Sequence, residues 1–120
     1  MREKVEHHKK EFVDLLLKLK DDGKNIVGIS APAKGNTLLN YCGMGPDIIP
    51  FTVDKNPLKV GQFTPGMHIP VLEVSALLEQ QPDYVLILAW NFAEEIMSQQ
   101  KEYQNRGGQF IIPIPEPKVI

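Results

Sequence analysis

The sequence predicts an α/β domain in which a doubly wound, mostly parallel sheet of about five strands lies between layers of helices. Two apolar runs, within residues 25–30 and 83–90, are short and continuous, as in parallel strands that are covered on both faces. Each run is followed by apolar residues at three- and four-residue spacing, which is typical of a helix. With right-handed crossovers, this alternation builds a sheet with helices on both faces.

The chain opens with a helix that stands outside the alternation. Over residues 2–21, Phe12, Leu16 and Leu19 recur at helical spacing between charged residues, and Gly23 provides a stop. The other predicted elements are shorter. They are helices over 36–42 and 74–80 and strands over 50–54, 69–71 and 110–112. Before the last strand, a helix is predicted that Asn91 caps and that ends at Gly107, with Phe92, Ile96 and Tyr103 on its apolar face.

Size and composition predict one domain over residues 1–120. A chain of 120 residues with 42% hydrophobic and 23% charged residues can fill a single core. With a formal net charge of −2, the domain has no overall positive potential that would attract nucleic acid. The longest apolar run is too short to cross a membrane. Together with the polar, charged N-terminal segment, this lack of a spanning run predicts a cytoplasmic protein. The single cysteine, Cys42, excludes an internal disulfide and a thiol metal cluster, and no third ligand is spaced near His7 and His8, so we expect no metal site.

Three strand-end segments are the candidate binding loops. In doubly wound sheets, ligands bind outside the carboxyl ends of the strands, where the strand order reverses. The rule selects residues 30–36 after the first strand, 54–56 after the second and the Trp90–Asn91 pair after the strand over 83–90. The loop over 55–68 is long for a connection, which also suggests a functional role.

Small residues in the first loop would let a phosphate approach backbone N–H groups at the start of a helix. Lys34 would add a positive charge to these donors. The segment is neither a Walker loop nor a Gly-x-Gly-x-x-Gly fingerprint. A tight turn with a solvated Lys34 explains the pattern equally well.

The other two segments also allow two interpretations each. Asp54 could accept hydrogen bonds from a ribose, or it could cap its own loop through Asn56. Trp90 could stack on a base or sugar, or it could close the core, and Asn91 could cap a helix as well as meet a ligand. Because no nucleophile, carboxylate pair or metal cluster is visible, the residues indicate a binding domain without catalytic groups of its own.

Several ordered blocks carry a resemblance over residues 23–117. The sequence resembles the C-terminal domain of S-adenosylmethionine-dependent C-methyltransferases, especially those that methylate carbon atoms of nucleotide-linked deoxysugars. The matching blocks are APAKGNTLL at 31–39, TVDKNP at 52–57, PGMHIP at 65–70, PDYVLIL at 82–88, WN at 90–91 and PIP at 113–115.

The resemblance implies a Rossmann-like domain that follows a zinc-binding and a methyl-donor-binding domain, neither of which fits in this chain. It implies that the chain helps to bind a sugar nucleotide at the interdomain cleft. S-adenosylmethionine and most of the chemistry would belong to the upstream domains. The ligand-binding candidates in the matching blocks are Lys34, Gly35, Asn36, Asp54, Asn56, Trp90 and Asn91.

Two positions depart from the family pattern. Ser30 stands where the family often has glycine, and its Cβ could hinder the closest approach of a ligand to the backbone. Ala89 stands where proline is expected before the Trp-Asn pair. Two alternatives stay open: a free-standing nucleotide or NAD-binding module without enzymatic activity, and a purely structural domain, which predicts an exposed apolar patch.

Overall fold

A computed structural model describes residues 2–30, 32–113 and 117–120 of the chain. These residues form one six-stranded sheet in the order β3-β2-β1-β4-β5-β6. All neighbouring strands are parallel except β5 and β6, so the predicted doubly wound α/β fold is confirmed. The strands are β1 (Ile26–Ile29), β2 (Thr52–Asp54), β3 (Val71–Glu73), β4 (Tyr84–Ile87), β5 (Gln109–Ile112) and β6 (Lys118–Val119).

The sixth strand is an addition to the five that the sequence predicts. It pairs antiparallel with β5, Ile111 opposite Val119 and Ile112 opposite Lys118. The N–H of Ile120 also donates to the carbonyl of Phe110 (2.7 Å). A two-residue strand in a proline-rich tail carries no periodic signal, because at least two alternations are needed to recognise a period of two.

In the described part of the chain, five helices flank the sheet, two on one face and three on the other. They are α1 (Arg2–Asp21), α2 (Ala33–Cys42), α3 (Ala76–Gln80), α4 (Ala93–Gln99) and α5 (Lys101–Asn105). Among the described residues, no helix combines the length and the apolar character that crossing a bilayer requires. The two faces bury separate clusters of side chains, so the domain has the three layers that the sequence predicts.

The N-terminal helix α1 covers strands that no crossover helix reaches. Its Phe12, Leu16 and Leu19 pack in one buried cluster with Leu86 of β4 and Ile111 of β5. The crossover helix on this face is α2. It connects β1 to β2 and therefore lies over the half of the sheet that contains these two strands. Helix α1 thus keeps the β4–β5 half from exposing apolar side chains to water.

Helices α3, α4 and α5 cover the opposite face, and Tyr103 of α5 anchors them. Its ring is fully buried and packs edge-on against Phe110, with ring centroids 5.6 Å apart. Its hydroxyl donates to the carbonyl of Pro82 (2.8 Å). Burial raises the pKa of Tyr103, so the phenol stays protonated and keeps this donor.

The predicted helix over 91–107 is wrong in three details. Residues Trp90–Phe92 form a 3₁₀ turn, and α4 begins only at Ala93, so Asn91 is not its cap. Phe92 is 61% exposed instead of facing inward, because the turn rotates it away from the buried side of Ile96. The helix is also divided at Gln100 into α4 and α5. The capping pattern fails because the chain bends through the 3₁₀ turn before it becomes α-helical.

Residues 55–68 are mostly loop, and part of this loop covers the outer edge of β3. The N–H of Gly61 donates to the carbonyl of Val71, and the N–H of Val71 donates to the carbonyl of Gln62 (both 2.9 Å). Thr64 and Ile69 form a further backbone bond of 2.9 Å. Pairing of this kind protects an edge strand from pairing with another chain.

Candidate functional site

The topology brings the three candidate loops to one edge of the sheet. Strands β2, β1 and β4 are adjacent and parallel, with Gly28 opposite both Thr52 and Leu86. The loops that begin at Ser30, at Lys55 and at Leu88 therefore all leave the same edge. The strand order reverses between β1 and β4, so a crevice between the first and the third loop is the expected ligand position.

Gly35 allows α2 to lie directly against the end of β4. A Cβ at Gly35 would lie 2.9 Å from both the Cβ and the carbonyl oxygen of Leu88, a distance that side chains do not tolerate. In nucleotide-binding folds the third glycine of the phosphate loop has this packing role. The close approach places the first turn of α2 beside the β1–β4 crevice.

Helix α2 begins three residues earlier than the sequence predicts. It starts at Ala33 after Pro32, whose backbone is extended, so Lys34 and Gly35 lie in the first helical turn instead of a loop. The N–H of Asn36 already donates within the helix, to the carbonyl of Pro32 (3.0 Å). By helix geometry, the N–H groups of residues 33–35 point out of the helix end. The side chain of Lys34 lies outside the described residues.

Ser30 adopts a backbone conformation that favours glycine. Its φ is +60°, in the left-handed region, at the end of β1. The N–H of Ser30 donates to the carbonyl of Val53 (2.7 Å), and the hydroxyl of Thr52 donates to the carbonyl of Ser30 (3.3 Å). These bonds from β2 hold Ser30 in its strained conformation, and such strain clusters at functional sites.

The carboxylate of Asp54 orders its own loop. Its Oδ1 accepts the N–H of Asn56 (2.9 Å), and its Oδ2 lies 3.8 Å from the ammonium of Lys59. The side chain of Asp54 is 12% exposed. The amide oxygen of Asn56 in turn accepts the N–H of Leu58 (3.0 Å). Both side chains therefore form turns, as one of the two interpretations predicts, and a ribose contact by Asp54 stays a prediction.

A small pocket lies between the ends of β1 and β2 and helix α4. Its volume is about 90 Å³, comparable to roughly three water molecules, so it can hold only part of a nucleotide. The ammonium of Lys55 donates to the amide oxygen of Gln99 across one side of this pocket. The pocket is lined by Ile29, Ser30, Asp54, Lys55, Val74, Ile96 and Gln99.

A larger groove lies on the other side of the crevice, beside Trp90. Its volume is about 570 Å³, Trp90 is half-buried in it, and Asn91 is exposed. Sequence reasoning missed Ile112 and Ile120 among its walls, because they lie far from Trp90 in the chain and reach the groove through the pairing of β5 with β4 and of the chain end with β5. The groove is lined by Trp90, Asn91, Phe92, Ala93, Glu94, Glu95, Met97, Ile112 and Ile120.

The two sides of the crevice differ in charge. Lys55 and Lys59 follow β2, whereas Glu94 and Glu95 lie in the first turn of α4 beside the groove at Trp90. The β1–β2 side therefore carries two lysines beside the carboxylate of Asp54, whereas the described residues that line the groove at Trp90 include two carboxylates and no basic side chain.

Neither a metal centre nor a reactive thiol is found in the part of the chain that the structure describes. There, no three His, Cys, Asp or Glu side chains converge into a metal-binding group. Burial raises the pKa of Cys42, and the nearby Lys9 lowers it only in part, so the thiol is protonated at neutral pH.

Comparison with known proteins identifies the family. Residues 1–115 match the family model described as the C-methyltransferase C-terminal domain. The chain belongs to this family. It is 48% identical over 99 residues to the C-methyltransferase NovU of Streptomyces niveus, and the match covers 82% of this chain. The match covers 24% of NovU, so this C-methyltransferase C-terminal domain spans about a quarter of that relative.

We predict that Ser30→Gly stabilises this C-methyltransferase C-terminal domain. Glycine adopts φ near +60° without the Cβ clash, which costs other residues about 1 kcal/mol, while its greater freedom when unfolded offsets part of the gain. We expect the free energy of unfolding in urea to rise by roughly 0.5 kcal/mol.

The matched control is Ser98→Gly in α4, which is exposed and helical. We expect this change to lower the free energy of unfolding by roughly 0.5 kcal/mol. A loss of stability at both serines would mean that Ser30 is not strained.

Proposed function

We propose that the chain is the part of an S-adenosylmethionine-dependent C-methyltransferase that binds the methyl acceptor, a sugar nucleotide. The observation that carries the proposal is the convergence of the loops after β1, β2 and β4 at the reversal point of the sheet. Family membership supplies the reaction class. The chain would bind and orient the acceptor, and it would contribute no catalytic group of its own.

The proposed orientation follows from the charges. The diphosphate would lie at the start of α2, where outward-facing N–H groups and the helix dipole favour anions. Lys55 and Lys59 follow β2 and would add positive charge on the β1–β2 side of the crevice. Asp54 would accept a ribose hydroxyl group. The hexose or the base would lie along Trp90 and Asn91, with the carboxylates of Glu94 and Glu95 keeping the phosphates away.

S-adenosylmethionine would supply an electrophilic methyl group from the part of the enzyme outside this chain. The family model supports this division, because it describes the chain as the C-terminal domain of a C-methyltransferase, and about three quarters of NovU lies outside the matching segment. We therefore assign the methyl donor to another domain, which would make that domain the partner of this one. We also place the protein in the cytoplasm, in keeping with its one cysteine.

The direct test is titration of the isotopically labelled chain with thymidine diphosphate glucose, followed by amide NMR. We expect shifts concentrated at residues 34–36 and 54–56 and at Trp90 and Asn91. Inorganic phosphate should shift residues 34–36 and leave Trp90 and Asn91 unchanged. No shift at residues 34–36 and 54 up to millimolar ligand would contradict the proposal, and a response to NAD without one to the sugar nucleotide would favour a dinucleotide-binding module.

The variant Asp54→Asn separates the two interpretations of this side chain. An asparagine oxygen can still accept the N–H of Asn56, so the turn should persist, whereas the charge that would bind a ribose is lost. A hydrogen bond to a charged group is worth roughly 1.5–3 kcal/mol, so we expect the Kd for thymidine diphosphate glucose to rise about tenfold or more.

The control for this variant is Asp47→Asn, which removes an exposed carboxylate outside the candidate loops. Its Kd should equal that of the unaltered chain. Equal affinity of Asp54→Asn and Asp47→Asn would mean that Asp54 serves only its turn.

A further inference from the structure

An apolar groove lies on the loop that links β2 to β3 and adjoins the candidate site at Asn36. Leu58 is 84% exposed and Phe63 is 61% exposed, and both line a groove of about 340 Å³. Large apolar side chains grouped on a surface usually mark an interaction site. The groove is lined by Asn36, Leu58, Lys59, Gln62, Phe63, Thr64, Pro65 and Val71.

The backbone beneath the groove is held in place by hydrogen bonds on both sides of Phe63. Gln62 accepts the N–H of Val71 (2.9 Å), and the N–H of Thr64 donates to the carbonyl of Ile69 (2.9 Å). Phe63 itself pairs with Pro70 in an antiparallel bridge. The hydroxyl oxygen of the buried Thr64 also accepts the N–H of Ile69 (3.0 Å). A fixed backbone presents the phenyl ring to solvent at little cost in conformational entropy on binding.

The charge of the groove restricts what can occupy it. Lys59 is the one charged residue among its described lining residues, and its ammonium is about half exposed. The surface therefore fits a segment that inserts an apolar side chain and carries a carboxylate beside it. A second copy of this groove would add another Lys59 and no carboxylate from its described lining residues, so it does not supply the complementary charge.

The groove is also continuous with the candidate site. Asn36 of α2 lies at one end, and Lys59 contacts the carboxylate of Asp54 at 3.8 Å. A partner bound here would lie beside the strand-end loops. The partner would also contact Lys59, and because Lys59 contacts Asp54, it would stabilise the loop that Asp54 orders.

We propose that this groove is the docking surface for the methyl-donor-binding part of the methyltransferase. The proposal rests on the proposed function, in which this chain supplies the acceptor and another domain supplies the donor. The occupant is inferred from the family and from the length of its member NovU, since about three quarters of NovU lies outside the matching segment. Docking at Leu58 and Phe63 would place that part at the edge of the sheet where the acceptor is proposed to bind.

Hydroxyl-radical footprinting tests the proposal, because it measures the exposure of individual side chains. The full chain is compared with a fusion in which it replaces the matching quarter of NovU, without any nucleotide. We expect labelling of Leu58 and Phe63 to fall about fivefold in the fusion, as for side chains buried in an interface core, while Val119 on β6 is labelled equally in both proteins.

Variants in the fusion provide the control. Leu58→Glu should restore the labelling of Phe63 to its value in the free chain, and Val119→Glu should leave Phe63 protected. Unchanged labelling of Phe63 in the fusion would overturn the proposal. Protection in the free chain that rises with its concentration would overturn it too, in favour of a second copy. Because no nucleotide is present, failure of acceptor binding does not affect this result.

Discussion

Gly108→Ala is expected to destabilise the domain by about 3 kcal/mol, at the upper end of the usual cost of overpacking a core. A Cβ at Gly108 would lie 2.2–2.5 Å from three ring atoms of Tyr103. The ring cannot move aside, because it is fully buried and its hydroxyl is bound to the carbonyl of Pro82. Urea unfolding followed by circular dichroism measures the change.

The neighbouring glycine is the matched control for this prediction. Gly107 has φ +102° and open space where a Cβ would be, so Gly107→Ala should cost only the backbone strain, about 1 kcal/mol. The change Tyr103→Leu removes the ring that Gly108→Ala would strike. If Gly108→Ala costs as much in the Tyr103→Leu background as in the unaltered chain, the clash is not the cause.

Gly35→Ala should cost about 2–3 kcal/mol and should weaken nucleotide binding as well. The added Cβ would meet the backbone of Leu88, which cannot rotate away as a side chain could, so α2 must shift from the end of β4. The N–H groups at the start of α2 would move with it. We expect lower stability in urea and smaller amide shifts at residues 34–36 on titration with thymidine diphosphate glucose.

Gly45→Ala is the control for Gly35→Ala, because it tests whether a Cβ at any buried glycine lowers stability and nucleotide binding. Its added Cβ would lie 3.3 Å from the carboxylate of Asp47, the end of a flexible side chain that can move. We expect a loss below about 1 kcal/mol and unchanged nucleotide binding. An equally small effect at Gly35 would mean that α2 can move away from Leu88 without penalty, and that its position does not set the site.

The elements that were predicted well are those whose pattern is long or strongly apolar. The bounds of α1 agree with the prediction, because Phe12, Leu16 and Leu19 repeat at helical spacing and Gly23 ends the pattern. The central strands β1 and β4 were found because continuous apolar runs mark strands that are covered on both faces. In contrast, β6 has two residues and gains its hydrogen bonds from β5 alone.

The polar signals near the site were harder to interpret. Asn91 and Glu94 have the spacing of a capping box. In the structure, however, Asn91 lies inside a 3₁₀ turn and Glu94 is the second residue of α4, so the two do not occupy the capping positions. A cap depends on the backbone angles of one residue, which tertiary contacts of the β4 end decide. Likewise, the sequence alone could not separate a ribose contact from a turn at Asp54, since one carboxylate can serve either purpose.

The sequence by itself determined the fold class, the family and the three segments that follow the central strands, because these depend on periodicity and on ordered blocks of residues along the chain. Only the tertiary structure decided that Gly35 packs on Leu88, that Ser30 is held at positive φ, and that Leu58 and Phe63 flank one groove. The first two features arise from contacts between residues far apart in the chain, and the groove is completed by Asn36 of α2 and Val71 of β3. Local propensity does not encode such contacts, since they exist only once the sheet has brought the strand ends together.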